Sequence, residues 1–223
     1  MFTQSATGPA KLVNMADKST LWQAPDARFR VAQVSDNHQF AILSLLDATV
    51  PSLILGDPAN PRVLTSTLLP RDRGELPLLS PDGSKVAFFR NQRVYVRDLA
   101  TGKEFSFGQR NASAVRAAVW LSTNRLASSS FGGVRGSAGT AEALMVSEAD
   151  STNNQKVVIL KTAVLALAAA PDGTCFAEAG TDLMIRIRDA KTLAVTRVFR
   201  AHDRSITSLA WHPSRPLLAS ASA

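Results

Sequence analysis

His202, Asp203 and Ser205 lie close together on one short stretch, and these are the side-chain types of a hydrolytic triad. A working triad needs the serine hydroxyl hydrogen-bonded to the imidazole, and neighbours along one loop rarely meet that requirement. His38, His202 and His212 could together hold a metal ion. No pair has the spacing that puts both on one helix face or one turn, and no Cys or carboxylate cluster joins them, so no metal site is expected. The stretch Phe131-Gly-Gly-Val-Arg-Gly-Ser-Ala-Gly139 could cradle a phosphate through its backbone. It lacks the Lys-Ser/Thr of a P-loop and no helix follows it, so no cofactor is expected there. It reads as an insertion between two strands, and it stays a binding-loop candidate because sites concentrate on loops held by a rigid scaffold. Asp36, Asp82 and Asp172 recur at equivalent turns, where turn formation explains them without calcium. Cys175 is the one cysteine, which excludes an intramolecular disulfide. It reads as a buried strand thiol, and its solitude fits a reducing compartment.

The elements that must position these residues repeat. Leu167-Ala-Ala-Ala-Pro171-Asp-Gly-Thr-Cys-Phe-Ala-Glu-Ala-Gly180 aligns with Leu209-Ala-Trp211-His-Pro213-Ser-Arg-Pro-Leu-Leu-Ala-Ser-Ala-Ser222, and Pro171 and Pro213 are 42 residues apart. A fixed period of this size marks a repeat architecture in which each repeat is one supersecondary unit. Val164 to Ala170 reads as a short buried strand and Pro171-Asp172-Gly173-Thr as a turn. Cys175 to Ala179 is a second strand. Leu183, Ile185 and Ile187 alternate with Met184, Arg186 and Arg188, the period of a half-buried third strand. Asp189-Ala-Lys-Thr turns again before a fourth strand from Leu193 to Phe199. Four short strands in about 40 residues describe one propeller blade. Turn residues interrupt the chain too often for any helix of three turns.

At this point the chain resembles the WD-repeat β-propellers. Their pattern has an opening His, a Pro-Asp-Gly turn, a small-residue strand and a closing Trp-Asp. The matching residues are Ala201-His202-Asp203, Ser80-Pro81-Asp82-Gly83, Pro171-Asp172-Gly173, Leu218-Ala-Ser-Ala-Ser222, Arg97-Asp98 and Arg188-Asp189. The match is degenerate: Arg97, Ser147 and Arg188 stand where the closing Trp belongs, and the opening His appears once. The family's His–Ser–Asp–Trp hydrogen-bond chain is therefore not expected in any complete repeat. The resemblance implies that His202 is a structural residue.

The implied fold is all-β, a propeller of four-stranded antiparallel blades, about four plus a partial one. The expected blades are 28–67, 74–107, 112–160, 164–199 and a partial 202–223. Residues 1–27 read as a leader or a partial blade, with Lys11 to Asp17 and Thr20 to Ala24 as candidate strands. By the 42-residue offset Ala223 corresponds to Thr181, so the motif is cut between two strands and the chain reads as a C-terminally truncated fragment. The rival reading has 11–24 closing a five-bladed ring.

Function follows from the resemblance and from charge. Length and composition allow a sizeable core, and the longest wholly apolar run, Ala163 to Ala170, is far short of the roughly 20 residues of a membrane helix. The start is not a secretory signal, so a cytoplasmic location is expected. Net charge is +7 and pI about 10.2, which favours acidic partners. With the first strand of each blade innermost, Arg71, Arg73, Arg110, Arg135, Lys161, Arg200 and Arg204 fall on one loop face, against Asp72, Asp182 and Asp203. The opposite face carries Asp36, Asp57, Asp82, Asp98, Glu148, Asp150, Asp172 and Asp189, with Lys85, Lys103, Lys156 and Lys191 among them. The implied function is a non-catalytic scaffold that binds a protein partner, an acidic one, through the loop face and these arginines. One alternative is a propeller hydrolase or lyase, which the Ala, Val, Leu, Trp and Ser of the inner strands argue against. The other is nucleic-acid binding, which is not expected because the basic loops have almost no aromatics besides Phe131.

Overall fold

The computed structural model describes residues 2–3, 11–13, 16–23, 29–34, 40–45, 52–56, 62–67, 78–90, 93–107, 114–131, 142–150 and 155–223. Every regular element among the described residues is a β-strand. The chain divides into two compact units, Met1–Arg90 with Val96–Lys103, and Asn91–Tyr95 with Glu104–Ala223.

In the first unit, β1 (Phe2–Thr3), β2 (Lys11–Val13) and β3 (Thr20–Gln23) make a three-stranded antiparallel sheet. The turn before β3 is held by Asp17, whose Oδ1 accepts the Ser19 N–H at 2.9 Å and the Ser19 hydroxyl at 2.7 Å. β4 (Phe29–Val34), β5 (Phe40–Leu45), β6 (Ser52–Gly56) and β7 (Arg62–Thr67) form a four-stranded antiparallel meander in chain order. A further sheet, whose strands are divided between the two units, takes β8 (Leu78–Leu79), β9 (Lys85–Arg90), β10 (Arg93–Asp98) and β11 (Glu104–Phe107), again hydrogen-bonded in chain order.

The second unit carries the best-defined repeats. β12 (Ala114–Ser122), β13 (Arg125–Phe131), β14 (Glu142–Glu148) and β15 (Gln155–Leu160) form one antiparallel sheet. β16 (Val164–Ala169), β17 (Cys175–Gly180), β18 (Met184–Asp189) and β19 (Val195–Arg200) form the next. β20 (Ile206–Trp211) and β21 (Leu218–Ser222) pair as a two-stranded sheet. Successive side chains of a strand point to opposite faces, and β17 uses both. Phe176 lies in a core with Leu121, Ala127, Leu144 and Val146 of the preceding sheet. Ala177 and Ala179 lie in a second core with Ile185, Ile187 and Ile206, against which Leu209, Trp211 and Leu218 pack. Fully burying a side chain such as Phe176 contributes about 1.5–3 kcal/mol. Small residues at 177 and 179 let the sheets approach.

Two strand starts differ from expectation. The third strand begins at Met184 rather than Leu183, and the fourth at Val195 rather than Leu193. Both leucines sit in turns with left-handed φ, +67° and +65°. Apolar periodicity extended the strands over them, but closing the turn requires a backbone conformation that no strand residue adopts. Cys175 is half-buried rather than buried, and desolvation raises its thiol pKa.

A further regularity escaped the sequence. β4, β12, β16 and β20 each carry a register shift near their start, at Phe29/Val31, Val115/Ala117, Val164/Ala166 and Ile206/Ser208. A bulge adds local twist to the strand that carries it, and it leaves no residue signature here.

Candidate functional site

The turn aspartates are built from local chemistry. Asp82 Oδ1 accepts from the Ser84 N–H at 3.1 Å and from the Ser80 hydroxyl at 2.7 Å. Asp172 Oδ1 accepts the Thr174 N–H at 3.0 Å and its hydroxyl at 2.9 Å. Asp98 Oδ1 accepts the Thr101 N–H and hydroxyl, each at 2.8 Å, and Asp189 does the same with Thr192 at 2.6 and 2.8 Å. Hydrogen bonds to the charged form lower a carboxyl pKa. The backbone N–H of Thr101, Thr174 and Thr192 is the largest cause of the depression at Asp98, Asp172 and Asp189 respectively. At Asp82 burial pushes the other way and is outweighed by the Ser80 and Ser84 bonds. Pro81 and Pro171 open the two Asp-Gly turns, and Gly83 and Gly173 take φ of +73° and +67°. A Cβ on Gly173 would stand 2.6 Å from the Leu121 carbonyl oxygen, so the turn rests directly on the end of β12.

His202 has a structural partner. Its Nε2 lies 2.8 Å from the Ser220 hydroxyl, across the start of the last repeat. Asp203 is exposed and pairs with Arg200 at 3.1 Å, and Ser205 accepts the Ala223 N–H through its carbonyl. His202, Asp203 and Ser205 are therefore not joined as a triad. Trp211 donates its indole N–H to the Ala168 carbonyl at 3.1 Å, tying β20 to β16. Pro213 is exposed, and the ring Nδ1 of the adjacent His212 accepts the N–H groups of Ser214 and Arg215 at 3.1 Å each. Among the described residues no group of three His, Cys, Asp or Glu is placed to hold a metal.

A buried ion pair sits one place along from the turn. Arg188 donates to Glu178 Oε1 at 2.9 Å and to the Leu193 carbonyl at 2.8 Å. Glu178 is 1% and Arg188 7% exposed. Sequence reasoning marked Arg188 as a departure from Trp but did not connect it to Glu178. The signal was present: both fall inside strands, on the face that carries Phe176.

The sequence-proposed arginines divide. Arg71, Arg73, Arg110 and Arg135, with most of the Gly-rich loop, lie outside the described residues. Arg200 and Arg204 are exposed. In the β16–β19 sheet the loop before β16 and the β17–β18 turn meet: Thr162 donates its hydroxyl to Asp182 Oδ2 at 3.2 Å, and Thr181 N–H bonds the Ala163 carbonyl at 3.1 Å. At the other strand ends the β16–β17 and β18–β19 turns meet through the Ala190 N–H and the Thr174 carbonyl at 2.9 Å. Lys156 and Arg125 of the preceding sheet add bonds there, to the carbonyls of Lys191 and Ala190, each at 2.7 Å. Lys161 and Asp182 thus belong to one set of loops, and Asp172, Asp189 and Lys191 to the other. No helix of the described residues is long and apolar enough to cross a membrane.

Comparison with known proteins agrees with this geometry. Residues 193–223 match the family model described as WD domain, G-beta repeat. Among solved structures, the chain is similar to the Cps50 (Swd1) β-propeller domain of Myceliophteria thermophila, with a TM-score of 0.58 and 17% identity. That match covers 86% of this chain, which spans 61% of that domain's length. No curated protein matches the chain.

Proposed function

For a chain that is a WD-repeat β-propeller, we propose the role of a non-catalytic platform that binds an acidic protein partner through the loops before each innermost strand. WD-repeat propellers are generally protein-interaction scaffolds. The observation that carries this reading is the loop opening the matched WD repeat. There His202 is bound to Ser220, while Arg200 and Arg204 project into solvent beside it. Arg71, Arg73, Arg110 and Arg135 are the further arginines assigned to this face, and the net charge of +7 supports an acidic partner. Arginine suits the role because its planar fork grips a carboxylate with two hydrogen bonds. Exposed pairs contribute about 0–1 kcal/mol each, so binding needs several together and weakens with salt. A cytoplasmic location accompanies the proposal.

The test measures affinity for a purified partner over a salt series. Replacing Arg71, Arg73, Arg200 and Arg204 together with Ser lowers affinity and flattens the salt dependence, with the melting temperature nearly unchanged. Replacing Lys85, Lys103, Lys156 and Lys191 has little effect on affinity. Equal losses from the two sets would mean that only net charge matters, and the face would be discarded.

A further inference from the structure

β19 is the last strand of its sheet, and its outer edge has no hydrogen-bonded neighbour in that sheet. It is also exposed at all six positions. Val195, Val198 and Phe199 on this strand are 40%, 51% and 43% exposed, three of the six large hydrophobics exposed among the described residues. Exposed edges invite pairing with another strand, and proteins ordinarily blunt them with charge, proline or cover. Here apolar and basic side chains are interleaved. Register places Arg197 opposite Ile187 and Phe199 opposite Ile185 on one face, and Val198 opposite Arg186 and Arg200 opposite Met184 on the other. Each face of the edge therefore offers one guanidinium and one apolar group. Arg197 has no acidic partner among the described residues, and Arg200 has only the exposed Asp203.

We propose that the outer edge of β19 is a docking strand for an extended peptide segment of another protein that reads acidic, apolar, apolar, acidic over four consecutive residues. Strand addition supplies main-chain hydrogen bonds, and alternating side chains supply selectivity. Residues directly opposite in a strand pair come close enough for opposite charges to attract and apolar groups to pack. A strand beside Arg197-Val198-Phe199-Arg200 meets that requirement when carboxylates face the two arginines and apolar groups face Val198 and Phe199. The edge shares Arg200 with the loop face, but Arg197, Val198 and Phe199 belong to the strand alone and Arg204 does not take part, so replacements at 197, 199 and 204 tell the two surfaces apart.

The test uses the whole chain and a short fluorescent peptide with Glu-Val-Ile-Glu at its centre, followed by anisotropy. Binding is expected, with a loss of about tenfold or more for Phe199→Ser and for Arg197→Glu. Arg204→Ser should leave it unchanged. Two N-methylated peptides separate edge pairing from loose adhesion. Methylating the alternate amides that face β19 abolishes binding, and methylating the other set leaves it. Because the substituted side chains are exposed, melting temperature should hold and loss of binding cannot be ascribed to unfolding. No binding, equal binding by a scrambled peptide, or equal loss from both methylation patterns would overturn the proposal. A loss only on replacing Arg204 would also overturn it, leaving the loop-face reading in place.

Discussion

The sheets β8–β11 and β16–β19 share a motif and solve one position differently. Aligning Gly83 with Gly173 and Asp98 with Asp189 sets Phe88 against Glu178 and Arg97 against Arg188. In β8–β11 the Arg97 guanidinium lies 5.9 Å from the centre of the Phe88 ring. In β16–β19 the equivalent arginine meets a carboxylate instead, in a setting almost sealed from water. β12–β15 puts Ser128 and Ser147 at the same pair of places, both 3% exposed. The backbone is thus indifferent to whether this position holds ring and cation, two hydroxyls or an ion pair. Where the position holds a buried charge it also holds the opposite one, Glu178 with Arg188, because burying an unpaired charge costs several kcal/mol. The turns that follow differ in the same spirit. Gly102 and Leu193 occupy one place, four residues after Asp98 and Asp189, with φ of +71° and +65°. A leucine there is strained by about 1–2 kcal/mol, and it stays because its side chain is buried in the core with Phe176.

Breaking the ion pair has the largest expected effect. Glu178→Ala or Arg188→Ala alone should cost about 3–5 kcal/mol in urea denaturation, since each strands the other charge. The double replacement Glu178→Leu with Arg188→Met should recover most of that loss, as apolar substitutes of similar volume do. Additive losses in the double variant would show that the two charges are not coupled.

Exchanging the turn residue comes next. Leu193→Gly relieves backbone strain of about 1–2 kcal/mol but gives up a buried side chain worth about 2–5 kcal/mol, so a net loss of up to about 4 kcal/mol is expected. A gain in stability would mean that the strain outweighs the packing.

The two glycines sharpen the contrast between open and packed turns. Gly102→Ala meets nothing within 4 Å and should cost about 1 kcal/mol from φ alone. Gly173→Ala adds a clash with the Leu121 carbonyl and should cost more, about 2–3 kcal/mol. Equal midpoint shifts would place the Asp172 turn away from β12.

The smallest effect should be shared by both sheets. The pKa values of Asp98 and Asp189 are lowered in the folded chain, chiefly by the Thr101 and Thr192 amides. A depressed carboxyl stabilises above its unfolded pKa of about 3.9, and that contribution is lost as pH falls through the folded value. Stability should therefore decline below about pH 4, and Asp98→Asn and Asp189→Asn should each shallow the decline slightly and to a similar extent. A steeper acid limb in either variant would assign the turn a different role.

Much of this was legible in the residues. Pro-Asp-Gly marks its turn because proline presets one φ, glycine supplies another and the aspartate closes on a nearby N–H, all within a few residues. Strand period and repeat length are equally local, so β17, β18 and β21 were visible with boundaries good to a residue. The proposed arginine face was legible only as charge, since sequence places a loop in order but not its side chains in space.

What the chain determined alone was therefore its repeat, its turns and its alternating faces, because each arises between residues close in sequence. Only the tertiary structure decided that Glu178 answers Arg188, that His202 binds Ser220, and that Leu193 accepts a glycine's conformation. In each case the deciding contact lies between strands or sheets. Its energy comes from removing water from groups that periodicity cannot pair.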